Sequence, residues 1–144
     1  MNSTAVNFGY PATLVGETEC WLVLARPKQA TFGACVLICK EEARAFSEIG
    51  ARAFADLQVA VAAVEAMLQK VVAYEKINYL MLMMVDPDVH FHVIPRYSGE
   101  RVHDGVAFPD AGWPGMPNLS AAVDLGVQGA ARLAAVLRQD WRPA

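Results

Sequence analysis

The chain has no apolar run long enough to cross a bilayer: MLMMV is short, and charges interrupt the alanine-rich segment between Ala51 and Lys70. That argues for a soluble protein. The N-terminal stretch MNSTAVNFGYPATLVGETEC lacks the basic start and apolar block of an export signal. Cysteine is scarce, and the three present, Cys20, Cys35 and Cys39, form no paired framework. Such a set excludes a disulfide scaffold and points to a reducing cytoplasm. Cys35 and Cys39 share strand parity in GACVLIC and read as small buried hydrophobes rather than ligands. Positive charge is not in excess, since the formal net charge is −3. A nucleic-acid surface needs clustered Lys and Arg and is therefore not expected, although local arginines could hold a small anion. Internal repeats and low-complexity linkers are absent as well.

Apolar residues are plentiful. They make up 55% of the 144 residues, against about 45–50% in an average soluble protein. The surplus suggests an additional buried surface, such as a subunit interface. The length suits one domain, residues 1–144, able to bury a core without metals or disulfides.

Changes of hydrophobic period outline the elements. CWLVLAR at 20–26 and TFGACVLIC at 31–39 read as an antiparallel strand pair separated by Pro27-Lys28-Gln29. Phe54, Leu57, Val61, Val64, Leu68 and Val71 then recur at helical spacing, which predicts a helix that starts near Gly50 and ends near Glu75 or Lys76. INYLMLMMV from Ile77 and DVHFHVIPR from Asp88 read as two more antiparallel strands. Residues 98–118 are rich in Gly and Pro and read as an irregular excursion, after which Ser120 is placed to cap a final helix carrying Val123, Val127, Leu133, Val136 and Leu137. The expectation is an α+β fold: an antiparallel sheet of about five strands, a long helix packed on one face, and a C-terminal helix.

One strand concentrates the chemistry. Side chains two apart in a strand stand on the same face, roughly 6.6–7 Å from each other. Val89, Phe91 and Val93 therefore share one face, and Asp88, His90, His92, Ile94 and Arg96 the other. A carboxylate, two imidazoles and a guanidinium in one line suit reactions at a phosphate, because an imidazole serves as neutral-pH nucleophile or proton carrier and a guanidinium matches phosphate oxygens.

HFHVIPRY, with Asp88 and Val89 before it, resembles the signature of the histidine triad family, in which three histidines alternate with hydrophobic residues. Asp88 stands at the first histidine position, His90 and His92 at the second and third, and Val93-Ile94-Pro95-Arg96 matches the usual continuation. Lys76-Ile77-Asn78 upstream and Trp113-Pro114-Gly115 with Pro117 downstream are similar to features of bacterial members, so the likeness covers about residues 20–118 and leaves about 119–141 as a helical extension. Membership implies a nucleotide hydrolase or nucleotidyl transferase acting at an α-phosphate, with a purine nucleotide the commoner substrate and a homodimer the usual assembly. His90 would attack phosphorus and form a nucleotidyl-imidazole phosphoramidate that water then hydrolyses. His92 would donate a hydrogen bond to a phosphate oxygen, and a main-chain carbonyl would set the His90 tautomer. No metal or cofactor is implied.

Two departures stand out. Asp88 cannot copy an imidazolium, although it could orient His90 or help to carry a proton. Met83-Met84 replaces a glycine and a polar residue of many relatives. The remaining substrate-binding candidates each carry two readings. Asn78 contacts ribose or phosphate, or satisfies backbone groups; Arg26 contacts substrate, or is a solvated turn cation; Arg96 reaches phosphate, or forms a surface ion pair. His103 reads as solvated and the methionine run as packing. Two other functions compete: a nucleotide-binding module without turnover, and a metal site of Asp88, His90 and His92, whose straight-strand spacing is wide for bonds of ~2.0–2.2 Å.

Overall fold

A computed structural model describes residues 2–144. Its centre is a five-stranded antiparallel sheet in the order β1-β2-β4-β6-β5, formed by β1 (Leu14–Glu17), β2 (Trp21–Ala25), β4 (Cys35–Cys39), β6 (His90–Arg96) and β5 (Lys76–Leu80). β3 (Lys28–Gln29) leaves this sheet to pair with the distant β9 (Val123–Asp124). Strand alternation divides the side chains cleanly. Trp21, Val23, Ala25, Cys35, Leu37, Cys39, Val89 and Val93 enter the main core with the helices, while Leu22, Leu24, Val36 and Ile38 form a smaller cluster on the opposite face. Cys35 and Cys39 are buried free thiols, as their parity requires.

The long helix α2 (Ala51–Val72) lies against the main core, beside α3 (Gly126–Arg138), which packs on β1 and β2. α2 stops three to four residues earlier than its apolar spacing predicts, because Ala73 turns left-handed with φ 54°. The Arg101 guanidinium then donates to the carbonyls of Val72 and Ala73, so the helix end is satisfied by a cation from outside it. Its rotation also differs from the expected one. The sheet-facing stripe is Ala53, Ala60, Ala63, Val64, Met67, Leu68 and Val72; small alanines let helix and sheet approach closely. Phe54 is 43% exposed, and Leu57, Val61 and Val71 are only half-buried.

Three further expectations are corrected. β5 ends at Leu80 rather than running to Val85, and Met83 adopts a left-handed φ of 52°, a conformation that favours glycine. Residues 98–118 are not wholly irregular: β7 (Glu100–His103) and β8 (Val106–Pro109) form a hairpin closed by Asp104 and Gly105, both at positive φ. Ser120 does not start the last helix, which begins at Gly126, and Val123 belongs to β9. The N-terminal segment also makes structure that the spacing does not announce. α1 (Ser3–Asn7) is capped by the Asn2 side chain, which accepts from the Ala5 N–H, and it covers the sheet face opposite α2 through Ala5, with Phe8, Tyr10 and Leu14 around it. Among the described residues no helix is long and apolar enough to cross a membrane.

Candidate active site

β6 runs between β4 and β5, and this central position buries its polar face: His90 is 2% exposed and His92 8%. The two rings meet edge to face with centroids 5.1 Å apart. Both open onto a cleft of about 320 Å³ lined by Phe8, Arg26, Leu82–Asp86 and Leu119. That volume lies near the lower end for small-molecule sites, and the mix of apolar walls with a few convergent polar groups is typical of them. Phe8 from the N-terminal segment meets both imidazoles, tilted to His90 with centroids 6.4 Å apart and edge to face with His92 at 5.9 Å.

His90 Nδ1 lies 2.7 Å from the main-chain carbonyl of Asp88. A carbonyl only accepts, so Nδ1 carries the proton and the lone pair of the neutral ring is on Nε2, which bonds no group among the described residues. His92 is held neutral in a different way. Burial, then the positive Arg26, then His90 push its pKa down from 6.5 to about 4, against a smaller opposing effect of Asp86. Its Nδ1 is buried without a partner among the described residues.

The Asp88 side chain does not act on His90. Its Oδ2 accepts from Ser3 Oγ (3.3 Å), Thr4 N (3.1 Å) and Thr4 Oγ1 (3.0 Å), while Asp88 N donates back to Thr4 Oγ1. Asp88 is thus the anchor of α1, and only its main-chain oxygen orients the imidazole. This geometry also disposes of three-ligand convergence: the Asp88 carboxylate lines a separate hollow with Lys40 and Glu41, and no cluster of three metal-ligating side chains exists among the described residues.

Arg96 and Asn78 are likewise not at the cleft. Arg96 Nε and Nη2 bond the two oxygens of Asp110 at 2.7 and 3.1 Å, and Nη1 bonds Asn78 Oδ1 at 2.7 Å. This is a buried ion pair rather than a surface one, because β6 is an interior strand and both side chains are almost wholly enclosed. Both residues face a second hollow with Trp113–Pro117. Arg26, by contrast, is half-buried, its Nε and Nη1 are enclosed without a hydrogen-bond partner among the described residues, and it lines the His90 cleft. His103 packs on Phe32 with centroids 5.1 Å apart. Sequence reasoning missed Phe8, Ser3, Thr4 and Asp110; the Asn2 cap before STAVN was a readable signal for α1, whereas the partners of Asp88 and Arg96 carry none.

No family model matches the chain, and no curated protein matches it. Solved structures do. A histidine triad protein from Bradyrhizobium japonicum has a TM-score of 0.70 at 17% identity, covering 99% of this chain and 97% of that one. Another, from Sinorhizobium meliloti, has a TM-score of 0.73 at 20% identity over 97% and 95% of the two chains. A hypothetical histidine triad nucleotide-binding protein from Sulfolobus tokodaii gives 0.68 at 18% identity over 95% and 88%. The class is therefore an α+β fold built on a five-stranded antiparallel sheet. In particular, it is the histidine triad fold.

Proposed function

We propose that this protein is a histidine triad enzyme, a nucleotide hydrolase or nucleotidyl transferase that cleaves at the α-phosphate of a nucleotide conjugate or dinucleoside polyphosphate. One observation carries the reading: the bond from His90 Nδ1–H to the Asp88 carbonyl leaves Nε2 with its lone pair beside a cleft. In the first step Nε2 attacks phosphorus, a P–N bond forms, and the bond to the leaving group breaks with its electron pair going to that group. A phosphate or polyphosphate departs as an anion; an amine or alcohol takes a proton from solvent. Water then attacks phosphorus, the P–N pair returns to Nε2, and a proton is released with the nucleoside monophosphate. Neutral His92 offers its Nε2–H to a phosphoryl oxygen as charge accumulates there. Phe8 and the apolar rim supply a wall for the base.

A homodimer fits the same fold. β5 is an edge strand, and beside it Leu37, Leu57, Val61, Tyr79 and Phe91 line an apolar groove, with Phe46 and Phe54 exposed nearby. Three free thiols suit a reducing cytoplasm.

The test is a rapid-quench incubation with dinucleoside polyphosphates and adenylated amines. An acid-labile nucleotide on His90, absent from His90→Ala, is expected. The missing first imidazole favours a second reading, a nucleotide-binding module; tight nucleotide binding with neither adduct nor turnover would establish that instead.

A further inference from the structure

The cleft contains one permanent cation that the protein leaves unanswered. Arg26 follows β2 at the point where the chain turns toward β3, so strand parity puts its side chain on the same face as Leu22 and Leu24, one strand removed from β6. It lines the cleft with His90 and His92. No carboxylate, carbonyl or hydroxyl among the described residues accepts from it, and its Nε and Nη1 are buried without a partner. The one carboxylate in the cleft wall, Asp86, is bonded by Asn7 Nδ2 at 2.8 Å and makes no ion pair with Arg26. Elsewhere the wall is Phe8, Leu82, Met83, Met84, Val85 and Leu119, none of which can answer a charge through its side chain.

Arg26 is half-buried, but guanidinium nitrogens enclosed without an acceptor are destabilising, and folded proteins seldom leave them so. The other arginine of this face shows the usual solution: Arg96 has Asp110 and Asn78 on three of its N–H groups. Two features that would otherwise meet phosphate charge are missing as well. Asp88 occupies the first histidine position with its carboxylate directed at Ser3 and Thr4, and the loop from Leu82 to Asp86 offers no hydrogen-bond-donating side chain, its one polar residue being the anionic Asp86. Burial also draws the guanidinium below its ordinary pKa, the direction expected of a cation awaiting a counter-charge.

We infer that Arg26 is the anion-binding residue of the His90 and His92 cleft, taking the oxygens of a substrate phosphate and thereby restricting productive ligands to phosphate-bearing compounds. Its planar fork can engage two phosphate oxygens at once, which a lysine ammonium cannot reproduce. The substrate assignment rests on the nucleotidyl-transfer reading, whereas the anion site stands apart from it. In that reading Arg26 positions phosphorus against His90 Nε2 and supplies the charge stabilisation that the first imidazole would share elsewhere.

Calorimetric titration of wild type, Arg26→Gln and Arg26→Lys with inorganic phosphate, AMP, GMP and adenosine tests this, together with urea denaturation of each ligand-free protein. Wild type should bind at least one nucleoside monophosphate tenfold or more tighter than adenosine. Arg26→Gln should abolish that preference and weaken phosphate binding by at least tenfold, and Arg26→Lys should retain only part of both. Because the guanidinium has no partner to lose, ligand-free Arg26→Gln should resist urea at least as well as wild type. Unchanged phosphate and nucleotide affinity in Arg26→Gln overturns the anion site, as does wild type binding neither phosphate nor nucleotide, or affinity lost together with a lowered urea midpoint. The two readings fail separately. A His90 adduct in wild type with Arg26-independent phosphate binding removes the anion site alone, and Arg26-dependent phosphate binding without any adduct removes nucleotidyl transfer alone.

Discussion

Replacing Asp88 by alanine separates an anchoring role from a chemical one. The carboxylate is buried and accepts from Ser3 Oγ, Thr4 N and Thr4 Oγ1. Ser3 is exposed and can turn to water, but Thr4 is fully buried, so its amide and hydroxyl both lose an acceptor in Asp88→Ala. Each buried unsatisfied group costs about 1–3 kcal/mol, a total of about 2–6 kcal/mol if nothing moves. The chain has a cheaper response, which is to release α1 and hydrate both groups at the expense of the small cluster around Ala5. The expected loss of stability is therefore at the low end, about 2 kcal/mol, with hydrogen-exchange protection lost at Thr4 to Phe8 and kept on β6. The orientation of His90 uses only the main-chain oxygen of residue 88, so adduct formation at saturating nucleotide should stay within about threefold of wild type. Half-saturation should rise, because Phe8 leaves the cleft wall with α1. A side chain acting as proton carrier contributes typically ~10²–10⁴-fold. If Asp88→Ala keeps its N-terminal protection and urea midpoint yet slows saturated adduct formation a hundredfold, the anchoring argument is refuted.

Other perturbations follow from the same geometry. His92 binds its proton near pH 4 in the folded protein and near 6.5 unfolded; its contribution to stability is whole above the unfolded value and lost as pH falls through the window between them, by up to about 3 kcal/mol. Urea midpoints measured from pH 7 to 4 should show that slope, and His92→Phe should flatten it; an equal slope in the variant contradicts the assignment. Asp110→Ala strands the buried Arg96 guanidinium and should cost about 3–5 kcal/mol without preventing adduct formation in the protein that remains folded; a change under 1 kcal/mol would mean that the pair is solvated. Leu57→Glu places a charge in the groove beside β5 and should convert a dimer to monomer by sedimentation equilibrium; a monomeric wild type at micromolar concentration removes the interface.

The sheet was legible because strand alternation is a local property. GACVLIC sends Cys35, Leu37 and Cys39 into the main core and HFHVIPR sends Phe91 and Val93, as alternation requires, whereas the pairing of these two strands, Cys35↔Val93 to Ile38↔His90, joins segments distant in sequence and was not legible. The rotation of α2 was not either, since a chain with two apolar stripes on one helix gives a single period whose phase averages both: the large residues Phe54, Leu57 and Val61 dominated the pattern at the N-terminal half, where Ala53, Ala60 and Ala63 are the residues buried, while Val64 and Leu68 belong to both. The hairpin at 100–109 was missed although Asp104-Gly105 is a two-residue turn signal, because the surrounding Gly and Pro obscured the short flanking strands.

The site divides in the same way between local and distant causes. His90, His92 and the carbonyl of residue 88 lie within five residues, so their arrangement is set by one strand. Asp88, Arg96 and Asn78 share that neighbourhood, and parity alone put them with the imidazoles. Their fates were decided by side chains far along the chain or on another element: Thr4 is 84 residues from Asp88, and Asp110 belongs to the segment after the hairpin. A polar side chain in a buried face goes to whichever partner removes the larger desolvation cost, and a carboxylate next to two free hydroxyls and an amide has no reason to approach an imidazole already bonded to a carbonyl. The consequence reaches function. By engaging α1, Asp88 draws the N-terminal segment across the sheet and brings Phe8 against both rings, so the carboxylate that does no chemistry on His90 also builds one wall of the cleft. Arg26 gains its significance by the same rule, as the half-buried cation of the cleft whose Nε and Nη1 find no partner among the described residues and which the inferred phosphate would satisfy.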